Sequence, residues 1–306
     1  MERRDFIKKS ALAAAALSSS LTIGSFSKLF ANNLLSNQAF DLVAIKGAEP
    51  DVMFDKGIAS LGGISNFVKK GQKVVIKPNI GWDVTPERGA NTNPKLVGRI
   101  VQHCLNAGAK EVFVFDHTCD NWTRCYSDSG IERAVKDAGG KIVSGATEGY
   151  YHEVEIKRGK AIKNAKVHEL ILESDVFINV PVLKHHMAGK LTMGMKNLMG
   201  VVWDRPEWHR NDLQQSIADF ATFKKPTLTV VDAYLVMMKN GPRGTSKEDV
   251  ALMKQQIIST DIVAADAAAA KIYGMEPDEI PYIKIADEMK IGRKDLNKLN
   301  INRIKL

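Results

Sequence analysis

Lys73-Val74-Val75-Ile76-Lys77, followed by Pro78-Asn79, is the stretch from which the architecture can be read. Three consecutive β-branched residues leave no polar position for a solvent-facing side, so the segment reads as a strand buried on both faces. Pro78 ends it, because proline has no N–H to give to a ladder. Downstream, Asn93-Pro94 opens a helical pattern that runs through Val97, Ile100, Val101, Cys104 and Leu105 and closes at Gly108. That is a cap, a proline in the first turn, apolar residues at helical spacing and a terminating glycine. Glu111-Val112-Phe113-Val114-Phe115-Asp116 reads as a second strand, Ser129 to Ala138 as a helix closed by Gly139-Gly140, and Lys141-Ile142-Val143 as a short strand.

Upstream, Asp41-Leu42-Val43-Ala44-Ile45-Lys46 reads as a strand and Val52 to Val68 as a helix broken near Gly62-Gly63. Further along, Tyr151 to Lys160 predicts a strand pair around Arg158-Gly159, and a short helix reaches Glu173. Asp175 to Val180 is almost free of polar interruption and predicts a central strand. Thr227 to Val231 predicts another, followed by Asp232, then a helix over Ser259 to Tyr273 and a terminal amphipathic helix and strand from Ala286. Strands alternating with helices predict an α/β fold with a mainly parallel sheet flanked by helices. No internal repeat or low-complexity linker divides residues 40–306, which are expected to form a single α/β domain. The strands end at Lys77, Asp116, Val180 and Asp232. In open α/β sheets ligands bind outside the carboxyl ends of the strands, so these exits are expected to share one ligand crevice.

The first residues have another character. Arg3-Arg4-Asp5-Phe6-Ile7-Lys8-Lys9 is a cationic start, Ala11 to Leu17 is a short run of small apolar residues, and a serine-rich stretch leads to Phe30. A positive segment, a short apolar segment and small residues beyond have the form of a signal peptide. The paired arginines resemble the twin-arginine type, a receptor-read address. Residues 1–31 are therefore expected to be a twin-arginine signal, with the export machinery as partner and a periplasmic or otherwise exported destination. That route carries folded proteins, which raises the expectation of a bound cofactor, a metal ion or an iron–sulfur cluster.

The formal net charge is +8. Residues 1–31 hold five basic and two acidic residues, which leaves +5 on the remainder. A mildly basic surface suits a small anionic ligand. No arginine-rich stripe with interleaved aromatics points to nucleic acid, and no segment after the signal is long and apolar enough to span a membrane. Cys104 falls on the apolar face of its helix and reads as a small core residue. Cys119 and Cys125 lie in the polar segment from Asp116 to Cys125, with His117 beside them. A disulfide, a metal or cluster site that includes His117, and free thiols all remain open. The pair is expected to lie together beside the crevice, joined to each other or to a metal.

The densest chemistry follows the central strand: Asn179-Val180-Pro181-Val182-Leu183-Lys184-His185-His186, then Gly194-Met195-Lys196-Asn197-Leu198-Met199-Gly200. Lys184 and His186 face one side of an extended segment. A cation beside an imidazole lowers its pKa, which suits a proton-transfer base. Glycines flanking Lys196-Asn197 would let the backbone approach an anion closely. Together with Lys77-Pro78-Asn79, these passages resemble the family known as domain of unknown function 362, over about residues 40 to 290. The resemblance implies no established reaction. Relatives with a ferredoxin-like segment carry clustered cysteines that this chain lacks. Lys184, His186 and Asp116 are the candidate catalytic residues, Lys77, Asn79, Lys196 and Asn197 the candidate ligand-binding residues, and Cys119, Cys125 and His117 the candidate metal ligands. Two functions compete: an exported enzyme, metal- or iron–sulfur-dependent, acting on a small anionic substrate, and a non-catalytic envelope protein that captures an anionic ligand.

Overall fold

The computed structural model describes residues 40–306 of the 306-residue chain, so the expected signal at residues 1–31 lies outside the described residues. The first half runs β1 (Leu42–Lys46), α1 (Pro50–Ser60), β2 (Lys73–Pro78), α2 (Pro94–Asn106), β3 (Glu111–Val114), α3 (Trp122–Asp128), α4 (Ile131–Asp137), β4 (Lys141–Ile142), β5 (Tyr151–Glu155) and β6 (Asn164–His168). It continues through α5 (Glu169–Glu173), β7 (Val176–Val180), β8 (Val182–His186), β9 (Lys190–Thr192), α6 (Gly194–Asn197), α7 (Arg205–Arg210) and α8 (Leu213–Ala221). β10 (Leu228–Met237), β11 (Val250–Ser259), α9 (Ile262–Tyr273), α10 (Pro281–Glu288) and β12 (Ile301–Lys305) complete it.

One sheet has the order β12-β1-β11-β10-β7-β2-β3-β4, with β8 on β10 and β9 on β8. The run from β10 through β7, β2 and β3 to β4 is parallel throughout. Alternation along the strands feeds two cores. Val74 and Ile76 of β2 pack with Leu96, Val97, Ile100, Val101 and Cys104 of α2, while Val75 packs on the opposite side with α8, α9 and α10. A strand with apolar residues on both faces is stable only between two helical layers, which is the arrangement found. The helix of α2 starts as the sequence predicts: the Asn93 side chain accepts from the Lys95 N–H, and Pro94 occupies the first turn.

The sequence reading departs from the structure at several places. β10 is ten residues long and forms an antiparallel hairpin with β11, a strand the apolar pattern does not disclose because Lys254, Gln255 and Gln256 interrupt it. The strand pair expected over Tyr151 to Lys160 is instead β5 with β6, a separate two-stranded sheet. The segment after Asp116 is not wholly a loop. Asn121 caps α3 through its side chain, and that short helix turns Cys125 into the core. Among the described residues no helix is long and apolar enough to cross a membrane.

Candidate functional site

β2, β3 and β7 deliver their carboxyl ends to one edge of the sheet, where Lys77 stands opposite Asn179 in the β2/β7 register. Lys77 is buried. Its Nζ lies 2.9 Å from Asp116 Oδ1 and donates to Asn197 Oδ1 at 2.7 Å. Asp116 follows β3, and its other oxygen accepts from the Ile80 N–H at 2.7 Å. Asn197 joins the strand ends: its Nδ2 donates to Asn179 Oδ1 at 2.9 Å and to the Lys77 carbonyl at 3.2 Å. Asn79 Nδ2 donates to Asn197 Oδ1 at 3.1 Å, and Asn79 Oδ1 accepts from Lys184 Nζ at 3.1 Å. Lys184 also donates to the Ala90 carbonyl, and the Trp82 ring lies 6.0 Å from its ammonium.

Lys77, Asn79, Asp116, Lys184 and Asn197 line a cavity of about 620 Å³ that is closed by Lys196, His186, His117, Cys119, Arg205 and Trp82. Lys77, Lys184 and Lys196 thus share one crevice. Of the four strand-end residues Lys77 and Asp116 line it, whereas Val180 and Asp232 do not. The Asp232 carboxylate accepts from the Asn93 and Tyr234 N–H groups and is spent on the chain's own turns.

The charge is one-sided. Among the described lining residues Asp116 is the one carboxylate, and Lys77 occupies it. Lys196 is 8 % exposed, and its Nζ has Met199 Sδ, 3.6 Å away, as its partner. No oxygen of the described residues accepts from it. Burial pulls Lys184 down to about 7, with the Lys196 charge adding to the effect and Cys119 opposing it. Burial likewise brings Lys196 down to about 8 and lowers Lys77, where Asp116 pulls the other way. His186 falls to about 2. Burial is the larger cause there, and the cation effect inferred from sequence comes second, through Lys196 and then Lys184. Its Nδ1 accepts from the Gly189 N–H at 3.0 Å, so the neutral ring is assigned its proton on Nε2.

The glycines act differently from the sequence reading. A Cβ on Gly200 would stand 1.8 Å from Asp116 Oδ1 and 2.5 Å from Lys77 Nζ, and one on Gly194 would stand 2.7 Å from Asp266 Oδ1. They make room for the protein's own carboxylates. Asp266 on α9 accepts from the Gly194 and Met195 N–H groups at 2.5 and 2.9 Å and so fixes the first turn of α6, which carries Lys196 and Asn197. Gly189, unremarked in the sequence, lets the β8–β9 turn lie on the Lys196 stem, with a Cβ there 2.7 Å from Lys196 Cε.

The three candidate metal ligands do not converge. Cys119 is exposed on the cavity wall, Cys125 is buried in the apolar core, and both are free thiols. Both residues reach the Gly81 carbonyl, Cys119 through its N–H at 2.8 Å and Cys125 through its thiol at 3.6 Å. The polar neighbours of Cys125 face outward from α3 while its own side chain faces in, so neighbouring residue types were a poor guide to its surroundings. His117 stacks on Trp203 at 4.9 Å and engages the Val202 carbonyl through Nδ1 at 2.9 Å. Among the described residues no three His, Cys, Asp or Glu side chains gather as metal ligands. This donor set does not fit a shared ion.

Sequence reasoning missed Arg205. Its guanidinium donates to the His117 and Thr118 carbonyls at 2.8 and 2.6 Å and lies 3.5 Å from Cys119 Sγ. The available signal was Arg205-Pro206, a helix start in the aromatic segment that also holds Trp203 and His209.

The thylakoid-associated protein sll1697 of Synechocystis sp. is 28% identical over 247 residues, which covers 76% of this chain and 72% of that protein. A protein from Thermotoga maritima aligns at a TM-score of 0.48 and 12% identity, over 79% of this chain and 60% of its own. The lactate racemase apoprotein from Thermoanaerobacterium thermosaccharolyticum aligns at 0.43 and 11% identity, over 78% of this chain and 58% of its own. This chain therefore spans less than two thirds of either solved chain. Residues 74–271, more than half of the sequence and the part that contains every lysine of the cavity, match the family described as Domain of unknown function (DUF362), and the chain belongs to that family.

Proposed function

We propose that this protein is an exported enzyme acting on a small anionic molecule, with residues 1–31 as a twin-arginine signal and residues 40–306 as a single α/β domain. The observation that carries the reading is Lys196, a buried amine that lines the cavity and finds no oxygen acceptor among the described residues. A buried cation without a counter-charge is costly, and a ligand carboxylate or phosphate would remove that cost. Lys196 and Arg205 receive the anion. Asn79 and Asn197 hold the lysines in place, and Asp116 acts through Lys77. Lys184 is the group for proton transfer, because an amine brought down to about 7 exchanges protons readily near neutral pH, and the neutral His186 ring supplies a hydrogen-bond donor through Nε2.

Thermal melting with and without inorganic phosphate or a small carboxylate tests the anion seat. At a ligand concentration a hundredfold above Kd the stabilisation is about 2.7 kcal/mol, which is a rise of several degrees. Lys196→Met should remove that rise. Lys184→Met should abolish turnover yet keep the rise, whereas in a non-catalytic binder it would only weaken binding. An unchanged melting curve across carboxylates and phosphates would sink the reading. Elemental analysis and an ultraviolet–visible spectrum of natively purified protein read any metal or iron–sulfur cofactor. Replacing Arg3 and Arg4 by lysine tests the export signal by whether the protein still leaves the cytoplasm.

A further inference from the structure

We infer that Lys184 is a nucleophilic amine that forms an imine with the carbonyl carbon of a small oxo acid whose carboxylate rests on Lys196. The inference rests on the anion-seat reading above and adds the substrate class and a covalent step.

The three cavity lysines differ in what holds them. Lys77 has a carboxylate 2.9 Å away and an amide oxygen at 2.7 Å, the surroundings of a permanent ammonium. Lys196 has only a thioether and is free to meet an incoming anion. Lys184 donates to two neutral oxygens, Asn79 Oδ1 and the Ala90 carbonyl. A neutral amine has two hydrogens and one lone pair. With both hydrogens committed to those acceptors, the lone pair is the remaining direction, and the side chain lines the cavity. Desolvation favours that neutral form, and the neighbouring Lys196 charge favours it further. An anion seat beside a neutral amine selects a molecule that carries a carboxylate and a carbonyl close together.

The step balances without a redox partner. The Lys184 lone pair attacks the carbonyl carbon, a C–N bond forms, and the carbonyl π pair moves to oxygen. A proton passes from nitrogen to that oxygen to give a carbinolamine. Loss of the hydroxyl with a second nitrogen-bound proton leaves the imine and one water. His186, with Nδ1 occupied by the Gly189 N–H, keeps an Nε2–H for hydrogen bonding to the departing oxygen.

Glyoxylate with sodium cyanoborohydride tests this on the full-length protein. The hydride reduces an imine to a stable carboxymethyl amine, which peptide mapping locates. Lys184 should be modified at least about tenfold faster than the exposed lysines at neutral pH, since its free-amine fraction exceeds theirs by far more. Propionaldehyde, which has no carboxylate, should label Lys184 more slowly than glyoxylate does, and excess phosphate should suppress the glyoxylate reaction. Lys196→Met should lower glyoxylate labelling of Lys184 by a larger factor than it lowers labelling by propionaldehyde, which registers only the lost charge beside the amine. The wild-type map gives the answer even if a variant misfolds. Labelling confined to exposed lysines, or falling on Lys196, overturns the imine assignment. If glyoxylate still raises the melting temperature in that case, the anion seat stands and only the covalent step is lost. If it neither labels Lys184 nor raises the melting temperature, both readings fail.

Discussion

Replacing Asp116 by asparagine removes the one carboxylate that the described residues bring to the cavity, while keeping its shape. The amide oxygen can still accept from the Ile80 N–H, but the amide N–H₂ then faces Lys77. Breaking a buried ion pair costs about 3–5 kcal/mol. The side chains here are 1% and 3% exposed, so solvent does little to screen the loss. Lys77 would remain buried beside Lys184 and Lys196 with no counter-charge, which places Asp116→Asn toward the upper end of that range. A change of that size lowers the melting temperature by about 6–20 °C, at roughly 2–4 °C per kcal/mol. Lys77→Met should cost less, because it leaves Asp116 its Ile80 hydrogen bond and relieves repulsion among the cations. Urea denaturation followed by tryptophan fluorescence and circular dichroism, in buffer free of phosphate and carboxylates, measures both. Adding phosphate should then recover more stability in Asp116→Asn than in the wild type, since the ligand replaces the missing charge. The reasoning is refuted if Asp116→Asn costs under about 1 kcal/mol, as an exposed pair would, or if Lys77→Met proves the more damaging change.

Three more outcomes follow from the same geometry. Native protein should react with a thiol reagent at Cys119 alone, since burial pushes the Cys104 and Cys125 thiols up to about 12; peptide mapping before and after denaturation checks this. Burial raises the Asp266 carboxyl to about 7, so its contribution to stability is complete at acid pH and is lost as pH rises through about 7; the advantage of wild type over Asp266→Asn should therefore shrink between roughly pH 4 and pH 7. Gly200→Ala drives a methyl against the Lys77–Asp116 pair and should lower stability by about 1–3 kcal/mol, whereas Gly189→Ala meets the flexible Lys196 stem and should weaken phosphate binding with little change in melting temperature.

Much of the molecule was legible in its local patterns. Val74-Val75-Ile76 and Val176-Phe177-Ile178 read as doubly buried strands because their apolar runs are uninterrupted, and α2 read as a helix because its cap, proline and apolar stripe all lie within its own span. β11 was not legible. Its polar residues are carried by pairing on both edges, to β1 and β10, and β1 is distant in the chain. The site was legible by residue type and place: Lys77 ends β2, while Lys184 and Lys196 follow the exit of β7 within the next segments, and strand ends in such sheets converge. The state of each lysine was not legible. It depends on Asn79, Ala90 and Asp116, which reach the amines of Lys184 and Lys77 only through the fold.

The sequence by itself determined the α/β class, the order of most elements and the concentration of cations along one edge of the sheet, because periodicity, capping and strand-ending prolines are properties of neighbouring residues. Tertiary structure alone decided that Cys125 turns into the core while Cys119 faces the cavity, that Asp266 pins α6 from another layer, and that Lys196 is left without an oxygen partner. Desolvation and hydrogen-bond pairing are set by which atoms meet in space, and in this protein those atoms come from strands and helices far apart along the chain.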